Sequence, residues 1–171
     1  MAILNKELIT KNLFVLLEFS GISDISYANL LNVSSKQIKR IKKGEAEFSI
    51  DNINKSCDFF KESFDRINNK EIIPDTNYRK KLLDIHKDNT EYNAILEKRP
   101  SITYAINFEL LNNEKFLKGK LTVKEIGEIF RDKGWVFTSS YISLALKRNL
   151  DKIKVEPHLN KKAVFVYSKK L

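Results

Sequence analysis

The sequence predicts a mainly α-helical protein that ends in a short β-hairpin, and three observations carry that expectation. Apolar residues recur at helical spacing from Ile9 to Leu150. Glycine and proline, 5 and 3 of 171 residues, fall almost wholly between those stretches and so mark their ends. The strand-like runs "IKVEP" and "AVFVYS" come last. An apolar content of 42% suffices for one medium core or two small ones. No unbroken apolar run is longer than Leu13 to Leu17, far short of the roughly 20 residues that span a bilayer, so no membrane association is expected. The opening "MAILNKELIT" lacks the basic and apolar regions of a secretory signal. With a lone Cys57 unable to form an internal disulfide, a reducing, cytoplasmic setting is expected.

In the first third, Ile9, Leu13, Leu16, Leu17 and Ser20 form one stripe of a helix that Gly21 stops. Ser23 is placed to cap a short second helix with Tyr27, Ala28 and Leu31 on one face. Ser34 caps a third, with Ile38 and Ile41 inward and Gly44 at its end. Ile50, Ile53, Cys57 and Phe60 mark a further helical stripe. Between Ser34 and Lys43 stand Lys36, Lys39, Arg40, Lys42 and Lys43 with no acid, the most basic run in the first 73 residues.

The stretch "GISDISYANLLNVSSKQIKRIKKGEAEFSIDNINKSCDFF" resembles the phage-repressor-like helix-turn-helix of the XRE family over about residues 8–66. The likeness lies in the small Ala28, the Asn32-Val33-Ser34 turn, the "IKRIKKG" ending and Ser49-Ile50 opening the next helix. A small residue lets the two helices cross closely, and Val33 plugs the corner between them. The resemblance implies that the third helix enters the major groove of double-stranded DNA. Ser35, Lys36, Gln37, Lys39 and Arg40 would then point at DNA, with Ser34 and Lys43 at the ends of that surface. Arg40 and Lys39 suit guanine edges or phosphates, and Gln37 suits adenine. The chain departs from the family at Asp24, where a phosphate-binding Gln is usual, and in having apolar Phe14, Val15 and Leu30 where polar residues are usual. Those three side chains call for cover from a homodimer partner or from the middle segment.

The middle segment, "PDTNYRKKLLDIHKDNTEYNAILEKRP", carries Tyr78, Leu82 and Ile85 and then Tyr92, Ile95 and Leu96 at helical spacing. Two short helices, or one broken at Asp88-Asn89, fit this pattern. Its thin apolar stripe among charges of both signs reads as a connector, with dimerisation as a role. In the last third, Pro100-Ser101 starts a helix with Ile102, Ile106, Glu109 and Leu110 on its face, widened by Tyr104, Phe108 and Leu111. Leu121-Thr122 begins another, with a capping box from Thr122 and Glu125 and Val123, Ile126, Ile129 and Phe130 inward, ended by Gly134. Thr138 caps a third, with Ile142, Ala145, Leu146 and Leu150 inward and Ser139, Ser140, Ser143, Lys147 and Arg148 outward. The two strand-like runs follow, turning at Asn160-Lys161.

Three helices and then a hairpin is the order of a winged helix, and residues 100–171 resemble winged-helix DNA-binding domains in that order. A small α+β dimerisation domain is the competing reading. The charge favours the first: residues 101–171 hold 14 basic and 7 acidic side chains, including Lys152, Lys154, Lys161 and Lys162 on the presumed wing. The expected organisation is a repressor-like helix-turn-helix domain over residues 1–73, a helical connector over 74–99 and a winged-helix domain over 100–171.

No constellation for catalysis stands out. Cys57 falls on the apolar face of its helix and reads as a buried, inert thiol. His86, in the charged connector, and His158, near the hairpin, lack the spacing of zinc ligands. Neither Gly127 nor Gly134 lies in a phosphate-binding loop, and Glu125 and Glu128 read as a solvated face. The sequence therefore points to a non-enzymatic DNA-binding transcriptional regulator of prokaryotic or phage type, without metal or cofactor. An antitoxin-type protein binding its operator and a protein partner, or a replication initiator, are the alternatives.

Overall fold

The computed structural model describes residues 3–170, so the first two residues and the last, within the bounds expected for the end domains, lie outside the described residues. The chain is mainly helical with a small three-stranded antiparallel sheet near its C-terminus, and it divides into two compact units, 1–98 and 99–171. No helix among the described residues is long and apolar enough to cross a membrane.

The first unit begins with α1 (Lys6–Ser20), whose Ile9, Leu13, Leu16 and Leu17 are buried. Gly21 ends it in the left-handed conformation that glycine adopts without penalty, φ 71°. Ser23 caps α2 (Asp24–Leu31) and Ser34 caps α3 (Ser35–Lys42), each hydroxyl accepting from the backbone N–H three residues on. Asn32 turns the chain between them at φ 56°, and the N–H of Val33 closes the corner on the carbonyl of Ala28 at 3.0 Å. Ser49 caps α4 (Ile50–Phe60) and Ser63 caps α5 (Phe64–Asn69). The core centres on Tyr27, Phe59 and Phe60 with Leu13, Leu16, Ile38 and Ile67. Tyr27 shares a 2.7 Å hydrogen bond with Ser56, and burial pushes its phenol well above the usual range.

Residues 74–99 were expected to be a connector, and 74–98 are instead part of this unit. They form α6 (Tyr78–Ile85) and α7 (Thr90–Glu97), broken at Asp88-Asn89, and Leu82 and Leu96 are buried in the same core. His86, read as a residue of a charged connector, is buried. Its Nε2 lies 2.7 Å from the carbonyl of Phe59, and its ring stacks on that residue's ring at 5.6 Å. Two of the three apolar residues said to want cover find it inside the chain. Leu30 is buried, Phe14 packs against Phe48 at 5.6 Å between ring centroids, and Val15 is half-buried. Cys57, expected in the core, is half-buried at its edge, where burial raises its thiol pKa.

The second unit opens on Arg99, whose guanidinium lies 4.4 Å above the Phe137 ring. The single helix expected after Ser101 is α8 (Ile102–Tyr104), running into a π-helical turn at Ala105–Glu109 and a 3₁₀ turn at Leu110–Asn112. Its buried residues Ile102, Ile106 and Leu110 are spaced by four, wider than the 3.6 of a regular helix, and the looser π turn keeps them in line. A short α9 (Glu114–Lys118) follows and buries Phe116. Leu121 and Thr122, expected to open a helix, form β1 (Leu121–Thr122) before α10 (Val123–Asp132). α11 (Ser139–Lys147) and the hairpin of β2 (Ile153–Pro157) and β3 (Phe165–Lys169) complete the unit. The sheet order is β1-β3-β2, with Leu121 and Val155 both opposite Tyr167, which the sheet buries against Ile126, Phe130 and Ile142. A Cβ on Gly127 would stand 3.4 Å from Cδ1 of Ile142, so glycine lets α10 and α11 cross closely. Leu150, expected inward, is exposed in the turn after α11. The hairpin reverses through a longer loop than the expected two residues, closed by the N–H of His158 on the carbonyl of Val164 at 2.8 Å, with Ala163 at φ 59°.

The capping box of α10 is complete. Oγ1 of Thr122 accepts from the N–H of Glu125 at 3.3 Å, and the Glu125 carboxylate accepts from the Thr122 N–H at 2.7 Å. The Thr122 N–H and the Thr122 hydroxyl, each donating to that carboxylate at 2.7 Å, hold the Glu125 carboxyl below the usual carboxylate range. Thr122→Ala is expected to cost about 1 kcal/mol, read as a lower denaturation midpoint at unchanged slope. Because the folded pKa of Glu125 is depressed, its share is complete above the unfolded pKa and is lost as pH falls through the folded value. The stability gap between wild type and Glu125→Ala should therefore narrow in acid.

Candidate nucleic-acid interface

On α3 the period of the helix separates two faces. Ile38 and Ile41 are buried, while Ser34, Ser35, Lys36, Lys39, Arg40 and Lys43 are exposed and Gln37 is half-buried. Lys36, Lys39 and Lys43 make no ion pair among the described residues. Arg40 donates a long hydrogen bond of 3.4 Å to the carbonyl of Glu45, and the Ser34 hydroxyl is committed to its cap. Lys42 is the exception. Both oxygens of Asp24 accept from its ammonium, at 2.6 and 2.8 Å, and it lies 5.4 Å over the Phe14 ring. The acid in the first turn of α2 thus neutralises one cation of α3 and leaves the others without an ion pair among the described residues. Beside this face, Asn32, Val33, Ser49, Asn52 and Lys55 line an open groove of about 520 Å³ between the α2–α3 turn and the start of α4.

In the second unit, α11 exposes Ser139, Ser140, Lys147 and Arg148 as expected, but Ser143 is half-buried, its hydroxyl 3.4 Å from the Tyr167 hydroxyl. Sequence reading missed Tyr141 and Leu144, which stand exposed on the same helix. No local signal separates Leu144 from the core leucines of the helix, since a leucine at helical spacing is ordinarily buried. Lys161 and Lys162 are exposed in the hairpin loop and make no ion pair among the described residues. The other two wing lysines are engaged, Lys152 with Asn107 at 3.2 Å and Lys154 with Glu156 at 3.4 Å. Among the described residues no group of three or more His, Cys, Asp or Glu side chains is placed to hold a metal ion. No protein-family model, curated protein or solved structure matches the chain.

Proposed function

We propose that the chain is a sequence-specific DNA-binding regulator of transcription. In this reading α3 enters the major groove, and the second unit makes a further, basic contact. The observation that carries it is the acid-free exposed face of α3, with Lys36, Lys39 and Lys43 making no ion pair among the described residues and the helix held from behind by Ile38 and Ile41. Fixed cations on a rigid helix neutralise phosphates without reorganisation, and Gln37 and Arg40 between them suit base edges. The XRE-like turn at Asn32-Val33-Ser34 supports the same orientation, and the order α8, α10, α11 and hairpin, with the short α9 and β1 between the first two, supports a winged-helix reading of residues 100–171. Regulation then follows from occupancy, with its sign set by where the site lies. The covering of Phe14 and Leu30 inside the chain weakens the feature that favoured a partner-binding antitoxin.

Selection of bound duplexes from random DNA tests the reading. Recovery of a common motif is the expected result, and recovery of unrelated sequences at every round would overturn sequence specificity. The wing has its own test. Lys161→Ala with Lys162→Ala should weaken all duplexes by a similar factor and flatten the dependence of log affinity on log salt by about 2, at about 0.9 per phosphate. Base preference should not change. A double variant with the parental salt slope would remove the wing from the interface.

A further inference from the structure

The exposed face of α11 has an apolar centre. Ser140, Leu144 and Lys147, spaced by four and then three residues, lie in one line along the helix, flanked by Tyr141 and Arg148. Leu144 is 46% and Tyr141 42% exposed, whereas Ile142, Ala145 and Leu146 on the other side are buried. The helix contains no acidic residue, and Lys147 and Arg148 make no ion pair among the described residues. Residues 99–171 carry 15 basic side chains against 7 acidic ones. An apolar spot set in so positive a surface complements a polyanion that itself displays methyl groups. The major groove of duplex DNA is such a surface, and thymine is the base that presents a methyl there.

We propose that Leu144, flanked by Tyr141, packs on thymine 5-methyl groups, so that the second unit reads its site chiefly by apolar contact. The inference rests on the DNA-binding reading above. The serine hydroxyls of α11 both donate and accept, so they discriminate little between bases, and Lys147 and Arg148 suit phosphates or guanine edges. Leu144 is the side chain of the helix suited to a thymine methyl.

The test uses the full chain and a duplex selected from random DNA, synthesised once with thymine and once with deoxyuridine throughout. Exchanging thymine for uracil removes only the methyl, and losing one such buried group lowers affinity about fourfold. Wild type is expected to bind the uracil duplex at least fourfold more weakly than the thymine duplex. Leu144→Ala, a truncation at an exposed position that leaves the core intact, should lose clearly less on the same exchange. The ratio between the two proteins isolates the contact of Leu144 from any methyl contact made by α3. A third protein, Lys147→Ala with Arg148→Ala, should weaken both duplexes alike.

If wild type and Leu144→Ala show the same thymine-to-uracil ratio while the basic double variant still weakens binding, the inference is overturned. The DNA reading then stands and the apolar face belongs to a protein partner. If the basic double variant keeps the parental affinity and salt slope, α11 does not face DNA, and the DNA reading of the second unit is overturned together with the inference.

Discussion

A protein carrying Lys36→Ala, Lys39→Ala and Lys43→Ala is expected to bind every duplex on the order of a hundredfold more weakly at physiological salt, with a log affinity against log salt slope flatter by roughly 2.7. Each of these exposed ammonium groups lacks an ion pair among the described residues, so each is free to displace a condensed counterion from a phosphate. Lys42 is left out because Asp24 already holds it. The loss should be nearly uniform across sequences, since phosphates carry no base information. Gln37→Ala and Arg40→Ala should behave in the opposite way, relaxing preference at one position each for about 1–3 kcal/mol against the cognate base. Titrations of the three proteins on cognate and scrambled duplexes at several salt concentrations separate the two effects. A triple variant with an unchanged slope would remove α3 from the DNA surface. An unchanged site preference in both single variants would leave α3 as a backbone contact only.

What the sequence revealed of this fold was what is decided locally. The helix starts at Ser23, Ser34, Ser49, Ser101, Thr122 and Thr138 were legible because a cap needs only a hydroxyl and the N–H groups just beyond it. The two faces of α3 were legible for the same reason, since a period of 3.6 residues sorts Ile38 and Ile41 from the lysines without knowledge of the rest of the chain. Features made by distant partners were not. β1 is two residues long and exists because β3, more than 40 residues later, supplies its hydrogen bonds. Leu30 and Phe14 looked bare until the packing of the first unit covered them, and His86 is buried because its ring meets Phe59, 27 residues earlier. At the candidate site the polar residues of α11 could be picked out by type. Leu144 could not, because a leucine at helical spacing is ordinarily core and only the position of the neighbouring elements shows that none covers it.

Arg79→Met is expected to lower the unfolding midpoint of the first unit by on the order of 15 °C, the largest stability effect we expect from a single polar residue here. Arg79 is buried, and its guanidinium ties together chain segments far apart in sequence. Nη1 donates to the carbonyl of Ser20 at 2.5 Å, and Nη2 donates to the carbonyls of Leu96 and, at 2.8 Å, Lys98. These carbonyls end α1 and α7, where a helix leaves its acceptors without intrahelical partners and carries partial negative charge. One planar cation thus satisfies both helix ends and anchors residues 74–98 to the first unit, where a connector was expected. Replacing a buried charge and its partner together by apolar groups is often harmless, but here the acceptors are backbone and remain. Methionine keeps the bulk and loses the donors, leaving buried carbonyls unpaired at a net cost of about 3 kcal/mol. For a unit of this size each kcal/mol moves the midpoint by roughly 4–8 °C. Arg79→Lys should recover less than half of the loss, because a single ammonium on a flexible stem does not reproduce the fixed fork that reaches three carbonyls. Thermal unfolding followed by circular dichroism measures both variants. A midpoint for Arg79→Met within about 3 °C of wild type would show that Leu82 and Leu96 hold the segment by packing alone.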